Sequence, residues 1–166
     1  MVADYGRISV PRVPWVFLAY RVPREPSTPR ISVWRKLRRL GVAQVVDGLV
    51  ALPLDARTRE QLEWVADEVV EVGGEASIWL AEASSAAQER AMADGMAASI
   101  AEEYRVLTLE AVTAVGEPPG QRSRTLGRLR RELRRIRARD FFPPSEAERA
   151  RRAVDELAEA IRAALR

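Results

Sequence analysis

Short apolar runs in the N-terminal half of the chain alternate with segments that have a helical period. Residues 15–22, WVFLAYRV, are rich in aromatic and β-branched side chains and therefore predict a strand. Both alternating faces of this segment are apolar, which is typical of a central strand covered on both sides. Pro23 and Pro26 end the strand because proline cannot donate to a strand ladder.

A basic helix is predicted after this strand. Ser27 or Thr28 is a suitable N-cap, and Pro29 fits the first turn, where its missing N–H has no cost. Gly41 ends the helix. Apolar side chains that recur every three residues predict the buried stripe, and the basic side chains fall largely outside it. The predicted stripe consists of Ile31, Trp34, Leu37 and Leu40.

The next segments predict a hairpin, a second helix and a last strand. Two β-branched runs flank Asp47 and Gly48, a pair typical of a two-residue turn in which both residues take positive φ. Residues 55–72 have a helical period, and residues 75–81, EASIWLA, predict a strand. The order β-α-β-β-α-β indicates a ferredoxin-like antiparallel sheet with two helices on one face. The opposite face then needs cover from the C-terminal half, from a second subunit, or from both.

The C-terminal half is predicted to be helical. Residues 85–115 and 123–138 each carry one apolar stripe, and a last helix to about residue 165 starts with a capping box of Ser145 and Glu148. The stripes consist of Met92, Met96, Ile100, Tyr104 and Leu107 in the first helix and of Leu126, Leu129, Leu133 and Ile136 in the second.

The fold class that these elements predict is α+β. A ferredoxin-like βαββαβ domain over residues 1–82 is followed by an all-helical extension over residues 83–166 that packs on it. Phe141 and Phe142 are predicted to fill the core of the extension. The four tryptophans fall on apolar stripes, which predicts core packing rather than contact with nucleic-acid bases: Trp15, Trp34, Trp64 and Trp79.

The composition excludes many catalytic sites. The chain has no cysteine and no histidine, which rules out thiolate nucleophiles, disulfides, imidazole chemistry and the usual zinc ligands. Carboxylate chemistry, as in a magnesium-dependent phosphodiesterase or a two-carboxylate glycosidase, stays open. We expect no enzyme activity and no cofactor. No apolar run approaches the roughly 18 residues of a membrane span, and no secretory signal is present, so a soluble cytoplasmic protein is expected.

Positive charge is concentrated in two segments. The formal net charge is +3, yet residues 20–41 carry seven basic side chains against Glu25, and residues 122–139 carry nine arginines against Glu132. These segments sum to +6 and +8, so the remaining residues total −11. Such segregation creates a local field that attracts phosphates or other anions. Solvated surface arginine is the alternative at any single position, but it does not explain the clustering.

Both basic segments are predicted to bind nucleic acid. Cations on a helix displace counterions from phosphates, and a guanidinium bridges two phosphate oxygens. Neither helix has the spacing of a known DNA-reading motif, so sequence-specific readout is not predicted. The predicted nucleic-acid-binding residues are Arg35, Lys36, Arg38, Arg39, Arg124, Arg128, Arg131 and Arg135.

A second anion site is predicted at the start of the first helix. Hydroxyls and free backbone N–H groups at a helix N-terminus, surrounded by arginines, suit a tetrahedral oxyanion such as chromate. The alternative is that Arg24 and Arg30 pair with acidic residues such as Glu25. The predicted oxyanion-binding residues are Arg21, Arg24, Ser27, Thr28 and Arg30.

Four segments carry a family resemblance: YRVPREPSTPRISVWRKLRRLG, DGLVALP, TREQLEWVADEVVEVGGEASIW and IRARDFFP. Together they resemble the N-terminal region of the ChrB family of chromate-resistance regulators, and the resemblance extends from Trp15 to the end of the chain. It implies a transcriptional regulator of a chromate-efflux operon that binds operator DNA and releases it when its effector, chromate, is present.

The predicted core also resembles the ferredoxin-like domain of the PaaX repressor family and of the small CRISPR adaptation nuclease. Because these relatives form dimers through this domain, a homodimer is expected. ChrB regulators continue into a second domain, so an alternative function is a non-catalytic interaction module that docks on a separate sensing domain. The nucleases hold a cation with an aspartate at the end of the first strand, where this chain has Tyr20 and Arg21. A metal-dependent nuclease that uses Asp47 is therefore the least favoured interpretation.

Overall fold

The computed structural model describes residues 14–164, which divide into two compact units. Within these residues, the first unit contains the chain up to Lys36 together with Gln44–Met92, and the second contains Leu37–Ala43 together with the chain from Ala93 onward. The predicted α+β class is confirmed. The elements are β1 (Trp15–Arg21), α1 (Ser27–Leu40), β2 (Ala43–Val46), β3 (Leu49–Pro53), α2 (Ala56–Glu71), β4 (Glu75–Ala81), α3 (Ala86–Ala114), α4 (Pro119–Ala138) and α5 (Ser145–Ala164). Within the described residues, no helix combines the length and apolarity needed to cross a membrane.

The first unit is built on a four-stranded sheet with the strand order β2-β3-β1-β4. β1 is central, as predicted, and pairs antiparallel with β3 and with β4. This is the order of a ferredoxin-like split βαβ sheet. Phe17 lies opposite Ala51 and Trp79, whereas Leu18 lies opposite Val50, so these two sets of side chains occupy opposite faces of the sheet.

The two faces of the sheet differ in how far they are covered. One face is fully buried along β1 and β3, and α2 packs along β1 and β4. The second face is buried at Trp15 and Ala51, half-buried at Phe17, and exposed at Trp79, which is 62% exposed. The expectation that β1 is covered on both sides therefore holds for only part of the second face. The buried residues of the first face are Val16, Leu18, Val50 and Leu52.

The buried stripe of α1 differs from the predicted one. Val33 and Leu37 are buried, whereas Ile31 and Trp34 are 42% and 48% exposed. Each residue turns an α-helix by about 100°, so a stripe with a spacing of three drifts by about 60° at each step. Ile31 and Leu40 therefore lie on opposite sides of the helix and cannot share one buried face.

The prediction that all four tryptophans lie in the core is wrong for three of them. Trp15 is fully buried, whereas Trp34, Trp64 and Trp79 are exposed. On α2, the buried stripe consists of Leu62, Val65 and Val69, and Trp64 projects outside it. On β4, the Trp79 indole N–H donates to Ser77 Oγ at 2.9 Å on the open face of the sheet.

The predicted two-residue turn at Asp47 and Gly48 is confirmed, but its backbone conformation differs. Gly48 has a φ of 76°, and positive φ within residues 14–164 is confined to glycines, so Asp47 has a negative φ. Positive φ is needed only at the second position of this turn. A Cβ at Gly48 would lie 2.6 Å from the carbonyl oxygen of Tyr20, so conformation and space both require glycine.

A capping box starts α2. The Asp55 carboxylate accepts from the Thr58 N–H at 2.7 Å, and Thr58 Oγ1 accepts from the Asp55 N–H at 2.9 Å. The hydrogen bond from the Thr58 backbone lowers the pKa of Asp55. The Thr58 hydroxyl also donates to the Pro53 carbonyl oxygen at 2.6 Å, which satisfies this buried polar side chain.

Helices α3, α4 and α5 supply the core of the second unit. The predicted stripes of α3 and α4 are confirmed, since every residue assigned to them is buried. α4 begins earlier than predicted because Pro119 occupies its first turn, where a missing N–H has no cost. The core of the second unit includes Ile100, Tyr104, Leu107, Leu129, Leu133, Ile136, Val154 and Leu157.

The capping box predicted for α5 is not formed. α5 begins at Ser145 itself, and the Glu148 carboxylate accepts from Arg151 and Arg152 instead. These hydrogen bonds lower the pKa of Glu148 to about 2. The Ser145 hydroxyl donates to the Glu146 carboxylate at 3.2 Å.

The connection between α4 and α5 is tied to α3. The Tyr104 hydroxyl donates to Asp140 Oδ2 at 2.7 Å. Burial of Tyr104, together with this hydrogen bond, raises its pKa. Phe141 and Phe142, which were predicted to fill the core, are half-buried in this connection.

Gly41 ends α1 with a φ of 75°, as predicted for a glycine that follows a helix. A Cβ at Gly41 would lie 2.9 Å from the carbonyl oxygen of Arg139, so close backbone approach is a second reason for glycine. Arg139 itself donates to both carboxylate oxygens of Glu103, at 2.7 and 2.5 Å. Hydrogen bonding to Glu103 raises the pKa of Arg139, and this guanidinium has a structural role.

Candidate nucleic-acid interface

Arginines cover the exposed sides of α4 in two rows. One row recurs at intervals of four, three and four residues, which places it opposite the buried stripe. The other row lies beside it and recurs at intervals of four and three residues. All seven residues are exposed, and we call them the α4 arginine face. The first row is Arg124, Arg128, Arg131 and Arg135, and the second row is Arg130, Arg134 and Arg137.

The protein's own carboxylates neutralise only part of the α4 arginine face. Arg128 donates to Glu110 at 2.6 Å, and Arg135 lies 3.4 Å from Glu132. Both pairs are largely exposed, so their attraction is weakened by solvent. Within residues 14–164, the other five arginines have no carboxylate partner: Arg124, Arg130, Arg131, Arg134 and Arg137. A continuous cationic surface therefore remains on α4.

The predicted binding residues of α1 are less uniform. Lys36 is bound to the Glu68 carboxylate of α2, which also accepts from Ser32 at 3.4 Å. Arg38 and Arg39 lie in the last turn of α1, where cations also stabilise the helix dipole. Arg35 lines a groove beside the first unit's hairpin. Lys36 thus has a structural partner, Glu68, that was not predicted from the sequence.

The predicted oxyanion-binding residues are not brought together in one groove. Arg21 and Arg24 line a groove of about 520 Å³ that also contains Gly73 and Gly74, and Arg21 is paired with Glu75 at 2.8 Å. Arg30 lines a different groove. The alternative pairing with Glu25 is not formed by Arg24 or by Arg30 in the part of the chain that the structure describes. Ser27 and Thr28 form the exposed first turn of α1.

The groove that contains Arg30 was not predicted from the sequence. It has a volume of about 690 Å³ and is lined by Arg30, Trp34, Gln44 and Asp47, among other residues. The groove was not predicted because Trp34 was assigned to the core. The signal was the spacing of Arg30 and Trp34, which are four residues apart and share one side of α1.

The residues invoked for the nuclease alternative lie apart from any acidic cluster. Tyr20 and Arg21 occupy the end of β1, and Asp47 is exposed in the hairpin turn. Among the residues that the structure describes, no group of three or more carboxylates is placed to hold a metal ion.

The strand order and the following helices define the class of this protein, a ferredoxin-like α+β domain with a helical extension. The family described as "Protein ChrB, N-terminal" matches residues 30–113, half of the chain, and the chain belongs to this family. Protein ChrB of Cupriavidus metallidurans is 28% identical over 145 residues, which cover 86% of this chain and 44% of that protein. The chain thus spans less than half the length of this curated relative. No solved structure matches the chain.

Proposed function

We propose that this chain is a non-catalytic, DNA-binding module of a chromate-resistance regulator and that it contacts operator DNA through its arginine-rich helices. The observation that carries this proposal is the α4 arginine face, on which five guanidiniums have no carboxylate partner within residues 14–164. Membership of the ChrB N-terminal family supports the link to chromate resistance.

The α4 arginine face suits phosphates by its spacing as well as by its charge. At 1.5 Å per residue, Arg130 and Arg134 are separated by about 6 Å along the helix axis, and Arg137 lies about 4.5 Å further. Each guanidinium can make a bidentate contact with a phosphate. The counterions that such contacts release give an affinity that falls steeply with salt. We assign the same role to four residues of α1: Arg35, Lys36, Arg38 and Arg39. Lys36 contributes less to phosphate binding, because its ammonium group is already paired with the Glu68 carboxylate.

The experiment measures affinity for a duplex from the upstream region of the chain's own operon by fluorescence anisotropy over a range of salt concentrations. The triple variant Arg130→Gln, Arg134→Gln and Arg137→Gln should weaken binding and lower the salt slope by about 2.7, since each lost phosphate contact contributes about 0.9. Wild-type chain that does not bind duplex at low ionic strength would contradict the proposal.

A matched control separates the α4 arginine face from net charge. The triple variant Arg151→Gln, Arg152→Gln and Arg162→Gln removes the same charge from α5, where each arginine is already paired with a carboxylate. This variant should retain most of the affinity and the salt slope of the wild type. Equal losses in the two triple variants would show that net charge alone governs binding.

Chromate is the effector that we propose. Its candidate contacts are Arg24 with the Ser27 and Thr28 hydroxyls, because Arg21 is shared with Glu75 and Arg30 lines a different groove. Duplex binding should be compared with no added anion, with sulfate and with chromate, since sulfate has the same shape and charge. Release by chromate alone supports the effector role, and equal release by sulfate contradicts it.

We further propose that two copies of the chain associate through the second face of the first unit's sheet. The half-buried Phe17 and the exposed Trp79 lie opposite each other on this face, and large exposed apolar groups are typical of association surfaces. Trp79→Ser should shift the mass measured by light scattering from dimer to monomer. A monomeric wild type would contradict the dimer.

Docking on another protein domain is a second candidate function, and one surface of the second unit favours it. Val106, Leu109 and Val112 are exposed along α3, next to a groove between α3 and α4 that mixes acidic and basic side chains. Leu109→Ser should abolish such docking without changing duplex affinity. Loss of duplex binding in this variant would argue against docking as a separate function.

A further inference from the structure

The groove of about 690 Å³ in the first unit combines apolar, cationic and hydrogen-bond acceptor groups. Neither the proposed duplex contact nor the proposed chromate site accounts for this combination. Its volume lies within the range of small-molecule sites. One wall is a side of α1 and carries Arg30, Ile31 and Trp34. The other wall carries Gln44 of β2 and Asp47 of the hairpin turn.

The α1 wall presents an aromatic ring and a cation side by side. Arg30 and Trp34 are four residues apart and therefore project from the same side of the helix, with Ile31 next to them. Val33 and Leu37 supply the buried stripe of α1, whereas Trp34 lies outside it and is 48% exposed. Trp34 and Ile31 lie outside the buried stripe and line the groove, so they offer an apolar surface to a ligand.

The opposite wall presents hydrogen-bond acceptors. The Gln44 side chain donates to the Val46 carbonyl oxygen at 3.0 Å, which fixes the amide and leaves its carbonyl oxygen as an acceptor. The Asp47 carboxylate is exposed beside it in the turn. Tyr20 also lines the groove, and burial together with the charge of Asp47 raises its pKa, so its hydroxyl stays a donor at neutral pH.

We propose that this groove binds a nucleotide unit, with the base stacked on Trp34, the phosphate at Arg30 and the base edge donating to Asp47 and Gln44. This nucleotide unit comes from a free nucleoside monophosphate or is one residue of a single-stranded nucleic acid. A wall with two acceptors prefers a base edge with adjacent N–H donors, which guanine carries at N1 and N2. A base inside a duplex cannot reach Trp34 because its faces are already stacked, so a duplex contact at Arg35, which also lines this groove, does not engage the base site.

Calorimetric titration of the full chain tests the proposal with GMP, AMP, guanosine, inorganic phosphate and a single-stranded tetranucleotide that contains one guanine. GMP should bind more tightly than AMP, guanosine or phosphate. Trp34→Leu should weaken binding at least about tenfold, since stacking on an aromatic ring supplies most of the affinity for a base. Asp47→Asn, which keeps a turn-forming residue, should reduce the preference for GMP over AMP.

Trp64→Leu is the matched control because Trp64 is an exposed helical tryptophan outside the groove, and this variant should bind GMP like the wild type. Binding of GMP indicates a free nucleotide as the source, and binding of the tetranucleotide alone indicates a single strand; both support the site. No saturable binding of either ligand, or equal binding by wild type and Trp34→Leu, overturns it. Duplex affinity should be unchanged in Trp34→Leu, so this proposal and the duplex proposal can fail independently.

Discussion

Helices α1 and α4 have similar sequences rich in arginine and leucine, yet the fold uses their charges differently. On α1, Lys36 is bound to Glu68 of α2, and Arg30 and Arg35 line a groove with Trp34. On α4, most of the arginines face solvent without a carboxylate partner in the described chain. The comparison shows that the number of arginines in a helix does not by itself decide how much unpaired positive charge the helix presents to solvent.

The largest expected difference between the two helices is in their apolar contribution to stability. Leu129 of α4 is buried in the core of the second unit, so Leu129→Ala should lower the free energy of unfolding by about 2–5 kcal/mol. Ile31 of α1 lines an open groove, and Ile31→Ala should cost less than about 1 kcal/mol. Urea unfolding measures both values, and equal losses would contradict the assignment of Ile31 to a groove.

A gain in DNA affinity is expected when the two carboxylates that pair with the α4 arginine face are neutralised. The double variant Glu110→Gln and Glu132→Gln releases Arg128 and Arg135, so the salt slope of duplex binding should rise by about 1.8. The exposed pair Glu60 and Glu71 of α2 provides a control with the same charge change. An equal gain in the control would show that the effect comes from net charge.

Removal of the Lys36 charge tests the α1 side of the comparison. Lys36→Met breaks a partly exposed ion pair with Glu68, which should change the free energy of unfolding by no more than about 1 kcal/mol. Duplex affinity should fall less than in Arg134→Met, because Lys36 is already engaged. A greater loss of affinity in Lys36→Met would reverse the ranking of the two helices.

The smallest expected effect concerns acid stability at α5, the third arginine-rich helix. The pKa of Glu148 is lowered from 4.5 to about 2 by Arg151 and Arg152. The stabilisation from these pairs is therefore complete above pH 4.5 and is lost as the pH falls toward 2. The difference in Tm between wild type and Glu148→Gln should shrink over this interval. A difference that does not vary with pH would show that Glu148 acts by packing alone.

The order of the elements was predictable because its signals are local. The hairpin needs only two strand-forming runs around Asp47 and Gly48, and the end of α1 needs only Gly41. The apolar stripes of α3 and α4 follow the helical period closely enough to identify their buried residues from the sequence.

The groove and the ion pairs were not predictable in the same way. α1 has apolar residues on two sides, and only tertiary packing decides that Val33 rather than Trp34 faces the core. The Lys36–Glu68 and Arg128–Glu110 pairs join residues on different helices, 32 and 18 positions apart, so no local spacing reveals them. By contrast, Arg135 and Glu132 lie three positions apart on one helix, a spacing that the sequence does display.

The contact between Gly41 and the Arg139 carbonyl sets a practical boundary for engineering this protein. Exposed guanidinium positions on α4 can be randomised in a library with little risk to folding, since they contribute few packed atoms. Position 41 has to stay fixed in such a library, because even a methyl group there meets main-chain atoms that have no rotamer by which to move away. Binding specificity can thus be redesigned at the exposed positions of α4, whereas Gly41, the residue that follows α1, has to be kept.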